Sequence, residues 1–413
     1  MAPPIVAHDP YAALRVRDFR WFIASVFTQT LGTQIQGVVV GWQVYSQTRS
    51  PLSLGLIGLA EAVPFIAVAL YAGHVADRVN RRQVALAATL ILFACSVALL
   101  GLTAGGTISG GRVWPVYLVI FVSGIARSFL QPSRTALAAE VVPRHLYLSA
   151  VGWRSSTWQI GAVAGPAIGG LLYGFSGAAV AYGVDASLLA CAGLSLARIS
   201  RPERHIPPAE DSIFESLTSG VRFVWSQPIF LGAITLDLFA VLFGGAEALL
   251  PVFAAEILRV GPQGLGVLRA APAVGASLMS LYLSHRPPLR RAGHVLFGSV
   301  AAFGACMIGF ALSRSLVLSL VLLAVGGMAD NVSVVLRSAL LQTLTPAHLL
   351  GRVSSVNAIF IGSSNEIGAF ESGVAASLMG TVPSVIFGGL MTLAVVAVIA
   401  WRVPHLRRLE RIE

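Results

Sequence analysis

Glu61, Arg127, Asp237, Asp330, Glu366 and Glu371 stand in stretches of sequence that are otherwise apolar. A charge held away from water is costly, and it is retained where it faces a cavity or an opposite charge. Two chemistries are open to this set. A carboxyl group can take up and release a proton, because its neutral form is easier to desolvate. An arginine can hold a carboxylate or an anionic ligand through two parallel hydrogen bonds. Glu61 lies nine residues after Leu52 and Asp237 eight after Ile229. At 1.5 Å per residue, each is ~12–13 Å into its helix. Both are candidate proton sites, and the competing reading for each is a hydrogen bond between helices. Asn357, Ser364, Gly368 and Glu371 share one helical face. That face is expected to look into a cavity, with Glu366 on a different side and paired to another helix. Trp153, Trp158, Tyr173 and Phe243 are aromatic side chains for stacking or for plain packing, whereas Trp42 and Trp114 read as interfacial anchors.

The elements that hold these residues follow from composition. Of 413 residues, 56% are hydrophobic and 11% charged, and the mean hydropathy is +0.79. Such a chain cannot cover itself with a polar surface. Apolar runs of about 20 residues, each long enough to cross a bilayer, predict an all-α, polytopic membrane protein. Twelve spans are expected near 20–46, 52–76, 83–105, 113–137, 149–175, 178–198, 228–257, 264–284, 293–312, 315–341, 353–379 and 383–402. All 28 basic residues are arginine. With no lysine there is neither a phosphate-loop lysine nor a Schiff base, and self-powered nucleotide hydrolysis of that kind is excluded. Cys95, Cys191 and Cys306 stand singly and read as small core residues. No enzyme chemistry, cofactor or metal site is expected.

The formal charge of +10 is distributed by side rather than clustered for nucleic acid. With both termini in the cytoplasm, 22 arginines face that side, Arg49, Arg112, Arg259, Arg269 and Arg314 lie at the outer end, and Arg127 lies alone well inside a span. The opposite orientation would violate the positive-inside rule. The first eighteen residues have no apolar signal-peptide core, so the first span is expected to remain.

The chain repeats. "GIARSFLQPSRTALAAEVVPRHL" (124–146) aligns without a gap on "GMADNVSVVLRSALLQTLTPAHL" (327–349), and "SPLSLGLIGLAEAV" (50–63) on "GPQGLGVLRAAPAV" (261–274). Two pseudo-symmetric six-helix bundles are expected, 1–198 and 228–413, joined by a cytoplasmic linker at 199–227 and ending in a basic tail. Duplicated bundles of this kind rock about a midplane site. Arg127 and Asp330 occupy matching repeat positions and are expected to face one another across the cavity. They form either a structural pair or a substrate counter-charge.

The segment "GHVADRVNRRQV" (73–84) resembles the loop signature of the major facilitator superfamily, with Gly73, Asp77, Arg78, Arg81 and Arg82 at its places. Asn80 stands where that signature has glycine, and is expected to accept the same left-handed turn. The resemblance implies an inner gate, Asp77 facing a helix N-terminus near Arg352 in the other half, set against a reading in which the arginines only fix topology. In span five, Gly152, Gly161, Gly165, Pro166, Gly169 and Gly170 resemble the superfamily's antiporter motif, which implies export. "LLQTLTPAHLLGR" (340–352) and "YAALRVRDFRWFIAS" (11–25) most resemble the enterobactin-exporter-like, transmembrane-secretion-effector branch. The resemblance implies a proton-coupled exporter of a small metabolite such as a siderophore, monomeric in a bacterial inner membrane, with lipid, substrate and protons as its partners. Multidrug efflux and a non-transporting receptor on the same scaffold stand as alternatives.

Overall fold

The computed structural model describes residue 9 and residues 11–200, 213–286, 291–346 and 349–410. Backbone groups in hydrocarbon must be satisfied within their own segment, and the described residues accordingly fold into helices and turns without strands. The first half contains α1 (Arg17–Thr48), α2 (Pro51–Arg78), α3 (Arg81–Ala104) and α4 (Trp114–Glu140). The run Tyr147–Ala197 follows. Gly177 (φ 82°, ψ 172°) divides it into α5 (147–176) and α6 (178–197), a backbone geometry that glycine alone adopts without strain.

An amphipathic helix, Ile213–Ser226, leads into the second half. There α7 begins as Pro228–Gly244 and breaks at Gly245, continuing through a 3₁₀ turn and a short helical turn into the π-turn Phe253–Ile257. The remaining spans are α8 (Gly261–Ser284), α9 (Ala292–Leu312), α10 (Leu316–Leu344), α11 (Leu350–Met379) and α12 (Thr381–Arg402). The helices extend at most three residues beyond the expected spans. Hydropathy and length alone mark nine runs among the described residues, with α5 and α6 taken together. The two that fall short, α1 and α11, are the polar helices, and polarity is what a helix lining an internal path requires.

The repeat is visible in packing. Gly124 on α4 lies against the Glu61 carbonyl of α2, and Gly327 on α10 against the Pro272 carbonyl of α8, at matching places in the two aligned segments. Glycine is what permits backbones to approach so closely.

The bundles meet unevenly. At the face opposite the termini (the far face), one apolar cluster draws on both halves, joining Val38, Tyr45 and Leu54 to Leu249, Phe253, Leu268 and Phe310. Toward the face that carries the termini (the terminal face) each bundle keeps its own cluster, Phe19, Phe22, Leu137 and Leu196 in one and Phe230, Leu296, Leu336 and Leu406 in the other. Gly55 touches Gly373 across the midline, and Gly170 touches Gly266. A side chain at Gly73 or Gly152, on the same α2 and α5 but nearer the terminal face, would meet nothing within 4 Å. The helices therefore splay, and the midline is closed at the far face and open at the terminal face.

Candidate functional site

The midline below the far-face seal carries a chain of charges. Arg127 on α4 pairs with Glu61 on α2, inside the N bundle. On the other side of the midline, Arg269 on α8 pairs with Glu247, in the break of α7, at 3.3 Å. Arg269 also donates to the Gly37 carbonyl of α1 at 3.0 Å, which makes it a tie between the two bundles. Glu366 on α11 lies between the two pairs, within electrostatic reach of Glu61 and Arg127 on one side and Glu247 and Arg269 on the other. Three carboxylates and two guanidinium groups thus follow one another across five helices, with one acid in excess.

This arrangement corrects the expectation that Arg127 faces Asp330. The repeat places Pro272 where Glu61 stands in the first half, so Asp330 has no counterpart of that pair to enter. It turns instead toward a second cluster. Arg337, two helical turns on along α10, holds Asp237 of α7 at 2.5 Å, and Asp330 is in electrostatic reach of both. The Asp237 and Arg337 side chains are 7% and 8% exposed, so the pair is desolvated. Its equivalent in the first half keeps the arginine but lacks the acid. Seven residues on from the fully buried Phe22 and Phe230 stand Gln29 and Asp237 respectively, and Arg134 donates to Gln29 at 3.5 Å.

Arg127 is also not the sole intramembrane cation. Arg337, expected on the cytoplasmic side, and Arg269, expected at the outer end, both lie within spans. Two signals in the sequence mark them. Arg337 is the repeat partner of Arg134 and lies seven residues from Asp330. Arg269 lies as far into α8 as Gly58 into α2. A further acid lies within a span. Asp185 on α6 is fully buried, accepting from Ser96 Oγ at 2.5 Å and from Gln36 Nε2 at 3.1 Å. Its other carboxylate oxygen, Oδ1, has no partner among the described residues. Its depth in its span was readable by the same residue count that marked Glu61.

On α11, the face expected to line a cavity is partly a packing face. Gly368 sits against the Val241 and Leu242 carbonyls of α7, Ser364 donates to its own helix at Ile361 (2.9 Å), and Ser372 donates to the Gly245 carbonyl at 3.1 Å. The carbonyl freed at the break of α7 is satisfied in this way. Glu371 and Asn357, on the same face, are half-buried. Glu366 is the residue that looks across to α2, where Gly58 rests on its backbone carbonyl. Among the described residues it forms no ion pair. Tyr173 meets Trp42 edge-on at 6.4 Å and Phe243 packs between Phe239 and Phe387, while Trp158 is exposed. Cys95 and Cys306 are buried, but Cys191 is exposed rather than in the core.

The glycines of α5 work on two sides. Gly161, Gly165 and Gly169 admit Thr30, Gln34 and Ile35 of α1, within the bundle. Pro166 and Gly170 face Gly266 of α8, in the other bundle. At the loop between α2 and α3, Arg81 pairs with Glu140 at 2.5 Å, and Arg82 donates to the Leu196 carbonyl at 2.9 Å and to that of Ala197. Both arginines therefore close on their own bundle. Asn80 (φ −59°) is not left-handed as expected, but caps α3, accepting from Gln83 N–H at 3.2 Å. Gly73 and Arg78 lie on the last turns of α2, and the Asp77 side chain is outside the described set. Arg352 donates to Ser219 of the amphipathic helix at 3.2 Å.

The whole chain has relatives. It is 27% identical to the enterobactin exporter EntS of Shigella flexneri, over 95% of this chain and 93% of that protein, and 27% identical to EntS of Escherichia coli O1:K1 over the same shares. Among solved structures it resembles a nucleoside transporter NupG (TM-score 0.71, 14% identity, 95% of this chain and 100% of that one). It also resembles a bacterial homologue of the human lysosomal transporter Spinster, in an inward-facing and unoccupied conformation (TM-score 0.66, 16% identity, 95% and 96%). Residues 8–412 match the family described as transmembrane secretion effector, and the chain belongs to that family, multi-pass transport proteins built on the major facilitator fold.

Proposed function

We propose that the protein is a secondary active exporter, most plainly a proton antiporter, that carries a small anionic or chelating metabolite out of the cytoplasm by alternating access. The observation that carries this reading is the unbroken series Arg127–Glu61, Glu366, Glu247–Arg269 across a midline closed at one face and open at the other. The arginine-rich terminal face is the cytoplasmic one, with bundles 1–198 and 228–413 and the linker 199–227 arranged accordingly. An anionic substrate entering from there meets Arg127, and its carboxylate or catecholate competes with Glu61 for the guanidinium. Under antiport the substrate leaves on the deprotonated carrier; a proton from outside then neutralises Glu61 or Glu366 and returns the empty carrier inward, and its loss to the cytoplasm readies the site for the next substrate. Asp237, held apart with Arg337 in the C bundle, is the second candidate for proton exchange. The glycine seam of α5 and the loop from Gly73 to Arg82 serve the movement of the bundles, and one copy of the chain suffices for it.

Siderophore export is the leading substrate reading, supported by the similarity to proteins named enterobactin exporter. The test is an iron-starved deletion strain of the source organism, with chelator measured in the medium and in the cell pellet. Retention in the pellet, rescued by the native gene and not by Glu61→Gln, supports the reading. Unchanged secretion removes the siderophore, and dye and antibiotic efflux is then the reading to measure.

A further inference from the structure

The far face carries a recess that the transport path does not use. It has a volume of about 380 Å³ and is lined by Trp42, Tyr45, Ser46 and Arg49 of α1 and by Ala255 and Arg259 at the end of α7. That volume is within the range that small organic ligands occupy. Its walls come from both bundles, so the recess exists only while the far face is shut.

Two features give it a chemistry. First, Arg49 (φ 50°) and Arg259 (φ 54°) both hold left-handed backbone conformations. These positions end α1 and the π-turn, where glycine or asparagine is the ordinary solution because a Cβ is strained there. Arginine at both places sacrifices backbone ease to put a guanidinium group on each side of one recess. Second, the local acid is already engaged. Glu256 accepts a 2.5 Å hydrogen bond from the Tyr45 hydroxyl, and among the described residues neither arginine forms an ion pair with it. Arg49 lies over the Tyr45 ring at 6.0 Å, and Trp42 supplies a second aromatic surface. Two exposed cations beside aromatic walls fit an oxyanion carried on a flat apolar body.

We propose that this recess binds an organic carboxylate or phosphate with an aromatic or other apolar body, arriving from the far side, and that the bound anion holds the far face shut. The second half follows from linkage. A ligand whose site is assembled in one conformation and divided in the other stabilises the first by its differential affinity. Under the alternating-access reading, on which this half rests, an exported anion accumulating outside would arrest its own carrier.

The test uses the full chain in phosphatidylcholine nanodiscs with 2-naphthoate as the probe and neutral 2-naphthamide as its control. Naphthoate is expected to bind at least about tenfold more tightly than the amide, because charge-assisted bonds to two guanidinium groups exceed that difference. The decisive variant is Arg49→Gly with Arg259→Gly. Relief of backbone strain should raise its thermal midpoint while binding falls at least about tenfold. A better-folded protein that no longer binds separates the site from the fold. Binding that survives the double substitution, or that the amide matches, overturns the proposal. Dihexanoyl phosphatidylglycerol, set against the phosphatidylcholine analogue as a competitor, assigns the source: displacement of naphthoate makes the natural anion a lipid headgroup, and no displacement makes it a soluble one.

Locking is read by maleimide alkylation of Leu54→Cys, a residue of the far-face seal, with Cys95, Cys191 and Cys306 replaced by serine. Saturating naphthoate should slow alkylation about fivefold or more. Alkylation that proceeds unchanged with the ligand bound overturns the locking half. Alkylation that never occurs, even with substrate cycling, is instead the failure of alternating access.

Discussion

Arg337 and Asp237 form across α10 and α7 a buried ion pair at 2.5 Å, where across α4 and α1 the matching Arg134 meets the neutral amide of Gln29. One duplicated device has been given a carboxylate in one bundle and a carboxamide in the other. Its consequences are measurable. Asp237→Asn leaves the Arg337 guanidinium buried without its counter-charge, a loss of about 3–5 kcal/mol for such pairs. The thermal midpoint of the purified chain should fall markedly, and adding Arg337→Gln should restore much of it. Equal midpoints for the single and double variants would mean that the two groups are not coupled.

Gly266 is the tightest test of the far-face seam. A side chain there would run into the Pro166 carbonyl at 2.5 Å and the Gly170 Cα at 2.9 Å. Gly266→Val should hold the bundles apart at that face, abolishing transport and speeding alkylation of Leu54→Cys from outside. Slower alkylation is the opposite outcome and contradicts the seam.

Gly152→Ala makes a complementary prediction. Nothing stands within 4 Å of the added carbon in the open state, so the midpoint should stay within the range of ordinary surface changes, about ±0.5 kcal/mol. Transport should nevertheless slow if α5 closes on a neighbour when the terminal face shuts. Unchanged stability with reduced turnover is the expected pattern.

Glu61 and Arg127 are half-buried and in direct contact. A double-mutant cycle with Glu61→Gln and Arg127→Gln should give a coupling energy of about 0.5–3 kcal/mol, as directly paired groups do. Additive losses would show that the pair is not an interacting unit.

At the terminal face the loop arginines should differ from each other. Arg81 and Glu140, 23% and 29% exposed, form a pair of the kind worth about 0–1 kcal/mol, so Glu140→Gln is nearly silent. Arg82 donates to two carbonyls at the end of α6, that of Leu196, which it shares with the Ile199 N–H, and that of Ala197. Arg82→Ala should therefore lower the midpoint more than Glu140→Gln does, and the reverse order would contradict this account.

The helices were legible because a bilayer leaves the chain few choices. A run of about 20 apolar residues must be a helix, and the two aligned repeats fix which helices correspond. Pairing was less legible. Arg127 was matched to Asp330 by symmetry, yet symmetry relates positions and does not place them in contact; Pro272, standing where the first half has Glu61, ends that pairing. Arg269 and Arg337 were assigned to helix ends because hydropathy places a charge at the nearest boundary, and it registers no cavity. At Asn80 the loop signature points to glycine's freedom of backbone, whereas the side chain serves as a cap. The break in α7 left no sharp mark, since "LLPVFAAEIL" (249–258) is as apolar as the helix before it, and Gly244–Gly245 is the one hint.

The glycine contacts at the far face have a geometric consequence. Gly55 against Gly373 and Gly170 against Gly266 are two points on opposite flanks of the interface, and two points define a line. Turning one bundle about that line leaves both contacts where they are, because glycine has no side chain to re-register. Every residue is displaced in proportion to its distance from the line. At the end of a lever about 30 Å long, the thickness of the hydrocarbon, a turn of about 15°, the scale of known subunit rotations, sweeps roughly 8 Å. That is the width of a small metabolite.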